Sequence, residues 1–169
     1  MSSERTSSEL PNVAAILAEL LGRVPRDQQP LLIAVAERLA AKRYRSWAEE
    51  EAMQMHRETL VGCADREEEI ANRIATLYCN ATDIERTILE GNPDIGDINR
   101  RIFAGRPLLE QFQIQAQGER LGAATWRALA AKAGSTSQRD ILLGCADLEE
   151  ASAEKLEEIL NLARPTPTT

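Results

Sequence analysis

The sequence predicts an all-α protein: a four-helix bundle made of two duplicated helical hairpins with a long crossover, preceded by a short N-terminal helix. The first observation behind this prediction is a repeat. Residues 60–68, LVGCADREE, recur at 142–150 as LLGCADLEE, and sliding residues 30–79 by 82 positions onto 112–161 gives sixteen identities in fifty positions without a gap. The second is a composition rich in Ala, Leu, Glu and Arg with only 4% aromatic residues, which favours helices over strands.

Composition and charge narrow the classes of function. The net charge is −7 and no basic cluster stands apart from the acidic residues, so nucleic acid is not an expected partner. No apolar run approaches the ~20 residues that span a bilayer, and no cationic start precedes an apolar segment, so we expect neither a membrane partner nor a signal peptide. Three cysteines without CxxC spacing indicate reduced thiols rather than disulfides or a zinc site. We therefore expect a cytoplasmic protein.

Periodicity and chain breaks predict the elements in order. A stripe of five apolar residues predicts a helix over 11–21, which packs either on its own bundle or against another subunit. Helices over 30–51 and 57–78, joined by a break at 52–56, make the first hairpin (30–79). After the crossover (80–106), a helix over 107–133 and a helix capped by Ser137 and ending near 163 make the second hairpin (107–163). We expect 11–163 to form one domain, with disordered segments at 1–10 and 164–169.

The crossover has a consequence for topology. A short loop would place the third bundle helix antiparallel to the second. The 27 residues of 80–106 can instead run back along the bundle, so that the second and third helices point the same way. The repeat favours this arrangement, because it relates the two hairpins by a pseudo-twofold axis.

Each bundle helix carries one glutamate in its apolar stripe. We therefore predict that Glu37, Glu67, Glu119 and Glu149 point inward at a similar level, with the small residues Ala40 and Gly122 leaving room beside them. Read at 3-and-4 spacing, the four stripes are Ile33, Glu37, Ala40, Tyr44, Trp47; Leu60, Cys63, Glu67, Ile70, Ile74, Leu77; Gln115, Glu119, Gly122, Trp126, Leu129; and Leu142, Cys145, Glu149, Ser152, Leu156, Ile159.

Four inward carboxylates need compensation, because burying one unpaired costs several kcal/mol and four repel one another. Metal ions, shared protons, or pairing with arginines would each provide it. The candidate arginines are Arg38, Arg45, Arg120 and Arg127. Alternatively, one or two of the glutamates lie at the edge of the stripe and reach water.

The glutamates and the repeat together resemble the ferritin-like superfamily, the di-iron carboxylate four-helix bundles of rubrerythrin and ferritin type. That family has one Glu on the first helix of each hairpin and Glu-x-x-His on the second. Glu37 and Glu119 correspond to the first-helix glutamates, and Glu67 and Glu149 open the second-helix motifs. Ile70 and Ser152 replace the two histidines. The resemblance covers about residues 30–162.

The resemblance implies a vestigial or weak metal site at Glu37, Glu67, Glu119 and Glu149. Without imidazole the site offers only oxygen ligands. We expect no bound cofactor or, if any, Fe or Mn, with Mg or Ca as other hard ions that oxygen suits. The predicted protein is non-catalytic or weakly metal-binding and forms a homo-oligomer, with a dimer favoured. A carboxylate-bridged di-metal (Fe or Mn) oxidoreductase or ferroxidase and a helical interaction or scaffold module remain the alternatives.

Overall fold

The structure, a computed structural model, describes residues 9–164, and every regular element in that range is helical. This confirms the all-α prediction. Two 3-10 turns, Arg26–Gln28 and Glu51–His56, accompany the α-helices. The α-helices are, in chain order, α1 (Val13–Leu21), α2 (Gln29–Glu49), α3 (Arg57–Ala75), α4 (Ala81–Gly91), α5 (Ile95–Phe103), α6 (Leu108–Ala130) and α7 (Thr136–Leu162).

Local chemistry explains where several helices begin and end. The Asn12 side chain accepts a hydrogen bond from the backbone N–H of Ala15 and so caps α1. Gly105, with φ +73°, takes the left-handed conformation that separates α5 from α6. The cap of α7 was wrongly predicted: Ser135, rather than Ser137, accepts from the backbone N–H of Gln138, because the helix already begins at Thr136.

The long helices form two antiparallel hairpins. The turn Glu51–His56 joins α2 to α3, and α6 packs along α7. Side-chain contacts fix the remaining directions. Trp47 of α2 contacts Gln111 and Tyr44 contacts Glu119, so α2 and α6 run antiparallel. Because α3 is antiparallel to α2, the helices α3 and α6 point the same way.

Two apolar clusters fill the bundle, and the four glutamates lie between them. Along α2, Ala34 belongs to the first cluster and Ala41 to the second, with Glu37 in between. The other three long helices show the same order or its reverse. Every residue of the four predicted stripes is buried except Leu77 and Leu129, which are half-buried. The core is therefore two apolar layers separated by one polar layer.

The shorter helices cover one side of this bundle. The apolar residues Leu17 and Leu20 of α1 pack against the first cluster, and Val13 packs against the second. The α1 stripe thus packs on its own bundle, so it gives no support to a subunit contact. In α5, Ile95 reaches the first cluster and Phe103 the second.

The predicted disordered ends fall mostly outside the described part of the chain. Residues 1–8 and 165–169 are not described; Leu10 is partly buried against the second cluster. None of the helices within residues 9–164 combines the length and apolar character needed to cross a membrane.

Candidate metal centre

All four predicted glutamates lie inside the bundle. Glu67 is 0% exposed, Glu119 and Glu149 are each 1% exposed, and Glu37 is 8% exposed. Glu67, Glu119 and Glu149 therefore do not reach water from the edge of a stripe, whereas Glu37 keeps a small exposed fraction and lines a cavity. Regular helix geometry accounts for this placement, because each glutamate sits at core spacing between buried apolar neighbours on its own helix.

Three of the carboxylates meet at one point. Glu37, Glu67 and Glu149 each offer an oxygen, and these oxygens lie within 4.8 Å of one another. They come from α2, α3 and α7. Such a group has the donor set and the spacing to hold one cation.

Glu119 is held differently. Its Oε1 accepts from the Tyr44 hydroxyl at 2.7 Å and from Gln115 Nε2 at 2.6 Å. Burial raises the pKa of Tyr44 well above its ordinary value, so the hydroxyl keeps its proton and donates.

Two carboxylate oxygens of this layer accept no hydrogen bond from an amide, hydroxyl or guanidinium group of the described residues. They are Glu67 Oε2 and Glu119 Oε2, both buried. Most buried polar atoms in proteins are paired, so an orphaned carboxylate oxygen calls for a proton, a cation or water. The partner oxygen Glu67 Oε1 accepts from Ser152 Oγ at 2.9 Å.

Burial and mutual repulsion make these carboxyls hard to ionise. Burial raises the pKa of Glu37 to about 7. Burial first, and then the neighbouring carboxylates, raise the pKa of Glu67 and of Glu149 well above their ordinary values. Without a cation, Glu37 is therefore about half protonated near pH 7, and Glu67 and Glu149 retain protons to higher pH.

Arginine pairing does not compensate the buried glutamates. The four candidate arginines lie on the surface and bind Glu68 and Glu150, each next in sequence to a buried glutamate, so that prediction is wrong. Arg38 and Arg45 contact Glu68, and Arg120 and Arg127 make the corresponding pairs with Glu150, 82 residues later. Among the described residues, the four buried carboxylates take part in no salt bridge.

Arginine reaches the centre only through an intermediate polar group. Arg66 Nε donates to Ser152 Oγ at 3.1 Å, and Ser152 donates to Glu67. On the other side, Arg43 Nη2 donates to Gln115 Oε1 at 2.8 Å, and Gln115 donates to Glu119. Each arginine thereby orients a donor toward a carboxylate without neutralising it directly.

Sequence reasoning missed Arg43. Its guanidinium carbon lies 3.9 Å from the ring centre of Phe103, and Nη1 donates to Asn99 at 2.6 Å, both residues belonging to α5. Burial lowers its pKa to about 10. The repeat gave no hint, because the position corresponding to Arg43 holds Thr125. Gln115, a polar residue in a core stripe, was the available signal.

Close packing fixes the position of one carboxylate. A Cβ built on Gly122 would lie 2.7 Å from Cδ and 2.9 Å from Oε2 of Glu149. The same carboxylate accepts from Trp126 Nε1 at 2.8 Å. Gly122 thus provides the space predicted for it, although the glutamate that fills this space comes from α7 rather than from its own helix.

The two positions at which the ferritin-like resemblance would place histidines, Ile70 and Ser152, are both buried. Ile70 is fully buried in the first apolar cluster, and Ser152 is engaged between Arg66 and Glu67. His56 ends the 3-10 turn between α2 and α3, away from the stripes. The buried thiols of Cys63 and Cys145 have pKa values raised by burial, that of Cys145 to about 12, so both remain protonated.

A cavity reaches the centre from the side covered by α1 and α5. Its volume is about 120 Å³, and its walls are mainly apolar. Glu37, Glu119 and Glu149 line its inner end, whereas Glu67 does not line it. The cavity thus approaches the carboxylate layer from the side of α1 and α5.

No family model, curated protein or solved structure matches this chain.

Proposed function

We propose that this protein is a ferritin-like bundle whose metal centre has lost its histidines and now binds one hard divalent cation, weakly and without redox catalysis. The repeat, the parallel course of α3 and α6, and one buried glutamate on each long helix support the assignment to this superfamily. Compared with the di-iron site of that family, this centre keeps the four glutamates and lacks the two histidines.

The observation that carries the proposal is that oxygens of Glu37, Glu67 and Glu149 lie within 4.8 Å of one another, with no salt bridge to them from residues 9–164. A cation would relieve their repulsion and provide the partner that Glu67 Oε2 lacks. Removing a carboxylate from water costs several kcal/mol. If no cation ever bound, these buried carboxylates would lower the free energy of unfolding without compensation. The donors present therefore fit a metal.

The donor set indicates which metal. Carboxylate oxygens alone suit Mn²⁺, Mg²⁺, Ca²⁺ or Fe²⁺ and do not tune an iron potential as imidazole does. Glu37, Glu67 and Glu149 would hold the ion, and Glu119 would stay with Tyr44 and Gln115. Once bound, a hard ion would neutralise the negative charge of the carboxylates in the polar layer. Protons must leave the carboxyls first, so affinity should increase with pH.

Titration calorimetry with Mn²⁺, Mg²⁺, Ca²⁺ and, without oxygen, Fe²⁺ tests the proposal. We expect one equivalent per chain and a rise in melting temperature with ion concentration. Glu67→Gln should abolish both. Glu68→Gln changes the next residue on the same helix, which is half exposed; it is the matched control and should change neither. If none of the four ions binds at millimolar concentration, the proposal is wrong and a scaffold role gains support.

Restoring the histidines provides a second test. The double variant Ile70→His/Ser152→His adds two imidazoles where the family has them. Its affinity for Fe²⁺ or Mn²⁺ should rise at least about tenfold. Two equivalents of metal in the wild-type chain, together with oxygen consumption on adding Fe²⁺, would instead support the di-metal oxidoreductase.

The homo-oligomer remains a proposal that rests on the family resemblance, because α1 packs on its own bundle. Light scattering of the purified protein measures its mass directly. A monomer at micromolar concentration would contradict it.

A further inference from the structure

The guanidinium of Arg66 is held beside the carboxylate layer, between α3 and α7. Its Nε donates to Ser152 Oγ at 3.1 Å, and that hydroxyl donates to Glu67 Oε1 at 2.9 Å. Its Nη2 donates to the uncharged Cys63 thiol at 3.1 Å. Arg66 forms no ion pair with a carboxylate in residues 9–164. Its positive charge therefore lies one side chain away from Glu67.

A second guanidinium, that of Arg43, stands in the same relation to Glu119. Its Nε and Nη2 donate to Gln115 Oε1 at 3.1 and 2.8 Å, and Gln115 Nε2 donates to Glu119 Oε1 at 2.6 Å. Its Nη1 donates to Asn99, so both of its hydrogen-bond partners are uncharged. No carboxylate in the described part of the chain pairs with it. Burial lowers the pKa of Arg43 to about 10, which still leaves it charged near pH 7.

The two arginines and their polar partners break the symmetry of the repeat. The four glutamates correspond in pairs, 82 residues apart, on the two hairpins. The positions that correspond to the arginines and their partners hold uncharged residues, which are Thr125 for Arg43, Ile33 for Gln115, Leu148 for Arg66 and Ile70 for Ser152. The repeat thus carries each acid twice and each of these two positive charges once.

Charge balance bears on how many cations the layer can hold. The four buried carboxyls carry four negative charges when all are ionised, and uncompensated charge inside a protein is costly. The two guanidinium groups supply two positive charges, and one divalent cation supplies the other two. A second divalent ion would leave two positive charges in excess.

We propose that Arg43 and Arg66 act as fixed countercharges that limit the carboxylate layer to one divalent cation, a role that rests on the proposed function. The two guanidinium groups supply the positive charge that a second ion would otherwise bring. Gln115 and Ser152 separate the guanidinium groups from the carboxylate oxygens, so these oxygens remain available to a metal. The two arginines thereby set the stoichiometry and the affinity of the centre without contacting the ion.

Titration calorimetry of the full chain with manganese chloride at pH 7 measures both quantities. The wild type should bind one equivalent. Arg66→Leu introduces the residue type found at the corresponding position 148 and removes a like charge near the centre, so it should bind Mn²⁺ at least about tenfold more tightly. The double variant Arg43→Met/Arg66→Leu should bind a second equivalent. Unchanged affinity in Arg66→Leu, or a single equivalent in the double variant, would overturn the proposal.

Lysine substitutions separate charge from hydrogen bonding. Arg43→Lys/Arg66→Lys keeps both charges without the planar guanidinium, so it should bind one equivalent with about the wild-type affinity. Two equivalents in this variant would assign the limit to hydrogen bonding and overturn the proposal. Arg45→Met/Arg57→Leu is the matched control on the same two helices, because these arginines pair with acids at the surface, and it should leave Mn²⁺ binding unchanged. Circular dichroism verifies the helical content of each variant, and Arg66→Leu alone decides the question if Arg43→Met does not fold.

The outcomes distinguish this proposal from the proposed function. If the wild type binds one Mn²⁺ and the double variant also binds only one, the countercharge role alone is refuted. If the wild type binds none and the double variant binds Mn²⁺, the proposed function is refuted and the two arginines exclude every cation from the layer. If neither protein binds Mn²⁺, both proposals are wrong.

Discussion

Glu37→Gln tests whether protonation offsets the cost of burying the Glu37 carboxyl. Burial raises the pKa of this group from its ordinary 4.5 to about 7. In the folded protein this carboxyl keeps its proton to higher pH than in the unfolded chain. Its contribution to stability is therefore complete below pH 4.5 and is lost as the pH rises toward 7. At about 1.4 kcal/mol per pH unit, this interval corresponds to roughly 3 kcal/mol.

The measurement is urea unfolding in EDTA at pH 5 and pH 8, followed by circular dichroism. The free energy of unfolding of the wild type should fall between these values, and the fall should be smaller by roughly 3 kcal/mol in Glu37→Gln, since an amide cannot lose a proton. Glu68→Gln serves as the control, because Glu68 is half exposed and pairs with Arg38 and Arg45. Equal falls in wild type and Glu37→Gln would refute the reasoning.

Two further substitutions probe the packing and hydrogen bonds of the layer by the same unfolding assay. Gly122→Ala should lower the free energy of unfolding by roughly 1–3 kcal/mol, because its Cβ would displace the carboxylate of Glu149. Gly118→Ala, one turn earlier in α6 and with open space, should raise it by about 1 kcal/mol through helix propensity, and equal effects would contradict the close-contact argument. Tyr44→Phe should cost about 1–3 kcal/mol, because Glu119 loses a buried donor; an unchanged stability would show that this hydrogen bond contributes nothing net.

The repeat accounts for much of what the two hairpins share, although the partners of its arginines were wrongly predicted. Arg45 with Glu68 and Arg127 with Glu150 are the same contact at corresponding positions, and both follow from the spacing along paired helices. The repeat could not predict where the hairpins differ. Arg66 reaches Ser152, whereas the position corresponding to Arg66 holds Leu148, which has no guanidinium to offer.

The sequence by itself determined the helices, their apolar stripes and the inward direction of the four glutamates, because these depend on helical periodicity within about 20 residues of chain. Only the tertiary structure decided which carboxylates meet. Tyr44 contacts Glu119 across 75 residues of chain, and Arg66 contacts Ser152 across 86. Such contacts depend on how α2, α3, α6 and α7 cross and on which side chains then compete for the same space. That competition left Glu119 with Tyr44 and Gln115 and brought the other three carboxylates together.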